Sequence, residues 1–211
     1  MNKELAKVLR DRLKGQISFV DIYGGLVRVQ EQKFEQDGGV AIRKRFPVVV
    51  EDTIADCEAY QRDMIPDSSK IGLLYFEDGS TTPEGRIRGR YSYVSTLTLV
   101  CWINKSRIML NPYSEISAMA INEVIDKLRV DMNPENVSFF QGLSVSVSRI
   151  PKQDASLFSR YTYDETDAQY LMPPYEYFGI ELRCTYRINP DCISQIQIEP
   201  TCYDNPQTPQ L

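Results

Sequence analysis

The 211-residue chain contains no histidine. Histidine is the commonest general base and the commonest metal ligand, so its absence removes most hydrolase and zinc-site arrangements. The paired glycines at 24–25 and 38–39 have neither G-x-G-x-x-G spacing nor the Lys-Ser/Thr of a P-loop, and they are typical of turns. We therefore expect a protein without catalytic residues, cofactor or metal ion.

Long apolar runs are also missing. Residues 1–15 form a charged amphipathic stretch without the apolar core of a signal peptide, and no window approaches the length of a membrane span. We expect neither export by a signal peptide nor a membrane segment. The formal net charge of −5 does not supply the basic field that nonspecific nucleic-acid binding needs.

The cysteines are odd in number and follow no pattern, which argues against a disulfide framework and a zinc knuckle. They are Cys57, Cys101, Cys184, Cys192 and Cys202. We expect free thiols. Cys101 and Cys184 fall on the apolar faces of predicted strands, so inert core thiols are expected there.

Two stretches show helical periodicity. Residues 4–13 place Leu5, Leu9 and Leu13 on one face, which predicts an amphipathic first helix. A second helix is predicted to begin at 111–114 and to continue through Arg129. Its apolar stripe is Ile116, Met119, Ala120, Val124 and Leu128.

Strand patterns occupy much of the remaining sequence. Clear alternation over 91–104, 142–150 and 175–189 predicts three strands, the last of which closes the sheet. Residues 17–23 and 26–30 read as a hairpin around Gly24-Gly25, and a further strand is predicted over 40–52, where Pro47 suggests an edge or a bulge. The segment 57–89 is predicted to be mostly a projecting loop or hairpin. It holds one short apolar run, 71–76.

These elements predict an α+β fold, a mostly antiparallel β-sheet with two principal helices packed on it and long projecting loops. We expect a single α+β domain over residues 1–189 and a polar C-terminal tail or arm over 190–211.

The loop 151–174 is long and rich in tyrosine, and tyrosine is favoured at protein interfaces. A loop folded over its own core is an equally good interpretation. Arginines near the predicted turn at 77–90 could contact phosphates or acidic side chains, whereas such charges are more often solvated or in contact with another subunit. The candidate subunit-interface residues are Tyr161, Tyr163, Tyr170, Arg86, Arg88 and Arg90.

Acidic residues offer the remaining chemistry. Glu77 and Asp78, and the group Asp164, Glu165 and Asp167, could serve a metal ion or glycoside chemistry. Because both groups lie in turn-rich loops, solvated acids are the favoured interpretation.

The N-terminal pattern ELAKVLRDRL (4–13), ISFVDIYGG (17–25) and FPVVVED (46–52) is followed by a long strand, a helix and two closing strands. This layout resembles the tail-terminator or tail-completion proteins of bacteriophages and related prophages. The resemblance implies a non-catalytic virion subunit, made in the bacterial cytoplasm, that forms a hexameric or dodecameric ring at a tail end or head–tail connector. Its partners would be its own copies and neighbouring tail or connector proteins, with DNA passing through the lumen without sequence-specific binding.

Two alternatives come from other classes of function. The first is a non-viral adaptor, monomeric or dimeric, that binds a protein partner through the tyrosine-rich loop. The second, which we favour less, is a metal-assisted enzyme that acts through Asp164, Glu165 and Asp167.

Overall fold

The computed structural model of the chain describes residues 1–36, 40–50, 61–87, 90–108, 116–128, 140–150, 155–162 and 171–188. The helices in these ranges are α1 (Asn2–Leu13) and α2 (Ser117–Leu128), and short 3₁₀ turns lie at Lys105–Arg107 and Ala155–Phe158. The strands are β1 (Ile22–Gln36), β2 (Val40–Val50), β3 (Gln61–Asp63), β4 (Gly72–Ile87), β5 (Arg90–Asn104), β6 (Phe140–Arg149) and β7 (Tyr175–Ile188). The predicted α+β class, with two helices on a mostly antiparallel sheet, is confirmed.

The strands of the described residues form a seven-stranded sheet in the order β3-β2-β1-β4-β5-β7-β6. Neighbouring strands are antiparallel except β1 and β4, which run parallel over a short stretch from Ile22 to Leu26. Beyond Leu26, β1 leaves β4 and pairs with β2 alone. The sheet therefore divides at the junction of β1 and β4.

Both helices pack on one side of this sheet. The apolar stripe of α1 is fully buried, and its contacts include Leu74 and Phe76 of β4 and the inward side chains of β5 and β7. The stripe of α2 is confirmed at Ile116, Ala120, Val124 and Leu128. Met119 is the exception, because 73% of it is exposed. Neither described helix has the length and hydropathy of a membrane-spanning segment.

A second apolar cluster lies on the other side of the sheet. Its centre is Trp102, which is fully buried and stacks on Tyr175 with ring centroids 4.9 Å apart. Side chains of β2, β4 and residues 155–162 complete this cluster. The first residues of β4 are therefore buried on both faces, whereas in the edge strand β6 only Phe140 and Leu143 are buried.

The predicted hairpin at Gly24-Gly25 is wrong, because β1 runs continuously through both glycines. Tyr23 pairs with Leu74 and Leu26 with Phe76, so the two glycines face a single residue of β4 and form a β-bulge. A Cβ atom at Gly24 would lie 2.7 Å from the Met64 methyl carbon and 2.9 Å from a methyl of Val49. The glycine is therefore needed for close packing at the bulge and not for a turn.

For the segment 57–89, the hairpin interpretation is confirmed over residues 72–87, whereas a projecting loop is wrong there. Its apolar run begins β4, a central strand that continues through the turn-like residues to Ile87 and forms a long hairpin with β5. Pairing with β5 outweighs the weak strand propensity of Gly79, Pro83 and Gly85, and the register shifts near these residues accommodate them.

The strands predicted over 91–104, 142–150 and 175–189 are confirmed as β5, β6 and β7. β7 does not close the sheet, however, because it lies between β5 and β6. Three predicted features lie outside the described residues: the start of α2 at 111–114, the Gly38-Gly39 turn, and half of the loop 151–174, namely 151–154 and 163–170. So does the tail over 190–211, and the predicted domain division stays a prediction.

Candidate interaction site

The β1–β2 pair continues past the point where β1 leaves β4. We call residues 31–36 of β1 and 40–45 of β2 the ribbon. Glu31 pairs in register with Arg45, and no strand outside this pair joins the ribbon in the described chain. Glu31, Gln32, Lys33 and Arg43 are exposed, and Arg43 lies 3.5 Å from Glu31. At these positions the ribbon presents polar side chains, and in the described chain one backbone edge of β1 is open.

Strand β6 forms one end of the sheet, and its outer edge has no partner strand within the described residues. Ser144, Ser146 and Ser148 are exposed on one face, and the hydroxyls of Ser146 and Ser148 donate to backbone carbonyls of β7 at 3.2 and 3.1 Å. No charged side chain occurs between Phe140 and Ser148, and register shifts flank residues 144–147. This edge lacks the charges and prolines that usually protect an open strand.

Of the predicted interface residues, the structure describes the side chains of Tyr161 and Arg86 and the backbone of Arg90. Arg86 is exposed near the end of the β4–β5 hairpin, and its guanidinium carbon lies 5.7 Å from the ring centroid of Tyr91. Arg90 is the first residue of β5 and pairs in register with Ile87. Tyr163, Tyr170 and Arg88 lie outside the described residues.

Tyr161 is buried against its own chain, with 4% of its surface exposed. It belongs to residues 155–162, which we call the strap. Leu157 and Phe158 of the strap are buried in the second apolar cluster, where Phe158 packs edge-on against Tyr177 at 5.1 Å. This is the placement that a loop folded over its own core predicts.

A polar contact fixes the strap to the central strand β4. The Tyr161 hydroxyl donates to Glu77 Oε1 at 2.5 Å, and Arg160 Nη1 lies 3.6 Å from Glu77 Oε2. Glu77 is only 6% exposed. Burial raises its pKa, which Tyr161 and Arg160 partly offset. Burial and the adjacent carboxylate also raise the pKa of Tyr161, so its phenol remains a proton donor.

A second contact fixes the strap to the ribbon. The Thr162 N–H donates to the Arg45 carbonyl oxygen at 2.8 Å, and the Arg45 N–H donates to the Thr162 hydroxyl at 3.0 Å. Adjacent strap residues, Tyr161 and Thr162, therefore connect β4 with β2 across the division of the sheet.

A buried ion pair lies at another point of the fold. Lys105 Nζ lies 2.7 Å from Glu176 Oε1, and each side chain is 6% exposed. Glu176 Oε2 accepts the Ile116 N–H at 3.2 Å, just before α2. A cavity of about 220 Å³ beside the pair is lined by Lys105, Leu171, Pro173, Tyr175, Glu176 and Tyr177. Because the ammonium and carboxylate pair with each other, the arrangement fixes three elements and provides no evident reactive group.

The structure describes some of the acidic residues and cysteines that the sequence analysis singled out. The prediction of a solvated acid is wrong for Glu77, whereas Asp78 is exposed and accepts a hydrogen bond from Asn2 Nδ2 at 2.6 Å. Asp164, Glu165 and Asp167 lie outside the described residues. The core thiols are confirmed, since Cys101 and Cys184 are buried and free, and burial raises the pKa of Cys184 to about 12.

Sequence reasoning missed Arg160, Thr162 and the Lys105–Glu176 pair. The alternation of β7 gave one usable signal, because it places Glu176 in phase with the apolar residues Phe178 and Ile180. An acid at a buried strand position calls for a partner. Nothing local to Lys105 identifies it as that partner.

Comparison with known proteins adds no relationship, because neither a protein-family model nor a curated protein sequence matches the chain. Within the described ranges, no group of three or more His, Cys, Asp or Glu side chains is arranged to hold a metal ion.

Replacing Glu77 with glutamine is expected to weaken the pH dependence of stability. The pKa of Glu77 is raised above 4.5 in the folded chain. The folded chain therefore binds this proton more tightly than the unfolded chain, and ionisation lowers the free energy of unfolding as the pH rises from about 4.5 through the folded pKa. An amide cannot ionise, yet it still accepts from Tyr161. Urea denaturation across about pH 4 to 8 should show a smaller decline for Glu77→Gln.

The matched control is Glu84→Gln, because Glu84 is 46% exposed and pairs with Arg183 at the surface. Its pH profile should follow that of the unmodified chain. An undiminished decline in Glu77→Gln would contradict the assignment of this pH dependence to Glu77.

Proposed function

We propose that this chain is a non-catalytic structural subunit of a bacteriophage tail or head–tail connector and that its copies form a ring through protein–protein contacts. The observation that carries the proposal is the ribbon, a two-stranded extension of the sheet whose side chains at residues 31–33 and at Arg43 and Arg45 are exposed. Two strands alone are marginally stable in water, so such an extension favours a protein partner.

The open edge of β6 supports the same function. An uncharged edge strand is a template for pairing with another chain, which a soluble protein usually prevents and an assembly protein can use. The ribbon edge and the β6 edge belong to different parts of the sheet, separated by β4, β5 and β7. Contacts between unlike surfaces of identical copies produce rings when the rotation closes.

The resemblance in the order of elements to tail-terminator and tail-completion proteins is the reason for proposing a phage tail or connector as the assembly. On this proposal, the partners are other copies, in a hexamer or dodecamer, and the adjacent tail or connector proteins. DNA passes through the lumen without sequence-specific binding. The chain acts in the virion after synthesis in the bacterial cytoplasm.

Mass spectrometry of purified phage particles tests the proposal directly. We expect peptides of this chain at a constant ratio to the tail proteins, and tail-less particles serve as the control for a tail position. The absence of the chain from intact particles would refute the proposal. Native mass and negative-stain images of the purified chain would then test the adaptor alternative, which predicts a monomer or dimer bound to another protein.

A further inference from the structure

The position of the ribbon depends on a small number of contacts at its root. On β1, the bulge at Gly24 and Gly25 bends the strand just before it leaves β4. On β2, Pro47 removes one backbone donor at the base, opposite Val29. Neither feature by itself fixes the angle between the ribbon and the rest of the sheet.

The strap crosses this root and contacts both sides of it. Thr162 makes two hydrogen bonds with the backbone of Arg45, which is the β2 residue of the ribbon nearest to its root. The preceding residue, Tyr161, donates to Glu77, which follows the last β4 residue paired with β1. Two adjacent residues therefore join the ribbon to the body of the sheet at the point of division.

The strap is anchored on the body side by packing as well as by hydrogen bonding. Leu157, Phe158 and Tyr161 are buried in the second apolar cluster, which also contains Phe46 of β2 at the root of the ribbon. On the ribbon side, Thr162 makes hydrogen bonds with the backbone of β2. A packed anchor joined to a hydrogen-bonded outer contact is suited to set the orientation of the element that it contacts.

We propose that the strap is a conformational lock that sets the angle of the ribbon and thereby presents its open edge to another copy of the chain. The lock itself is a property of the isolated chain. Its use in ring assembly rests on the proposed function. The Thr162 hydroxyl and the Tyr161 hydroxyl are its positioning groups.

Distance measurement between two spin labels tests the lock in the isolated, full-length chain. One label replaces Gln32 on the ribbon and the other replaces Met119, which is 73% exposed on α2. Cys57, Cys192 and Cys202 are changed to serine, while Cys101 and Cys184 are buried and remain. We expect one narrow distance distribution in this background.

The double variant Thr162→Val and Tyr161→Phe removes both hydroxyls while preserving most of the side-chain volume. We expect the distribution to broaden or shift by about one interstrand spacing, ~5 Å. Thr162→Ser keeps a hydroxyl and should retain the narrow distribution. An unchanged distribution in a folded double variant would overturn the proposal, even if the melting temperature falls, because a purely stabilising role moves only the melting temperature.

If the double variant does not fold, the single variants Thr162→Val and Thr162→Ser decide the question, and equal distributions in the two would overturn the proposal. Ring formation is measured separately by native mass. A chain that shows the lock but is absent from virions would refute the proposed function alone, whereas a virion protein without the lock would refute this inference alone.

Discussion

Replacing Lys105 with methionine is expected to destabilise the fold by about 3–5 kcal/mol. The ammonium lies 2.7 Å from Glu176, and both side chains are 6% exposed. Methionine fills much of the same volume but leaves the Glu176 carboxylate buried without its cation. That carboxylate also accepts the Ile116 N–H, so it cannot turn away without losing a contact at the start of α2. The midpoint of urea denaturation measures the loss.

Two further variants separate the unpaired charge from a loss of packing. Adding Glu176→Gln to Lys105→Met removes the charge while keeping an acceptor for Ile116, and it should restore roughly half of the lost stability. Lys127→Met is the surface control, because Lys127 lies 3.9 Å from Asp126 and is 41% exposed. It should change stability by less than about 0.5 kcal/mol. A loss below about 1 kcal/mol for Lys105→Met would contradict a buried ion pair.

Gly72→Ala is expected to cost about 3 kcal/mol, near the upper end for an overpacked site. Gly72 is the first residue of β4. Two backbone segments lie close to it: Phe19, in the connection between α1 and β1, and Trp102 of β5. A Cβ atom on Gly72 would overlap the backbone carbonyl oxygen of Phe19 and would lie 2.8 Å from that of Trp102. Backbone atoms held in a sheet cannot move aside as the end of a flexible side chain can.

Gly85→Ala is the matched control in the same strand, since a Cβ atom at Gly85 has no other heavy atom within 4 Å. It should alter the free energy of unfolding by less than about 0.5 kcal/mol. Thermal denaturation of the two variants side by side separates the effect of close packing at Gly72 from the effect that replacing any strand glycine with alanine would have. Equal melting temperatures would contradict the prediction.

The elements that could be predicted from sequence are those in which one face is buried, because their apolar residues then recur at a regular spacing. Apolar and polar residues alternate in β5, β6 and β7 because one face of these strands packs under the helices. The leucines of α1 recur at helical spacing because they are buried against the sheet. β4 could not be recognised in this way. Its first residues are buried on both faces and its later residues have the composition of a turn, so only its long-range pairing with β5 identifies it as one strand.

In the candidate site, too, the residues that local sequence features identify differ from those that only distant contacts define. Tyr161 was identifiable because tyrosines cluster in its segment, but its acceptor Glu77 is 84 positions away. The Arg45 contact of Thr162 spans 117 positions. Such contacts are created by topology, and neither composition nor periodicity at either end carries a signal for them.

The central position of β7 has a consequence for folding kinetics. β7 is the last described strand in sequence, yet among the described strands β6 joins the sheet only through it. During synthesis, the β4–β5 hairpin can form early, whereas β6 must wait without a ladder partner until β7 emerges from the ribosome. Pairing of Leu99 with Ile180 closes a long loop, which makes this step slow. A nascent chain would therefore expose β6, which carries no charge from Phe140 to Ser148, before its sheet exists. In this interval aggregation competes with folding.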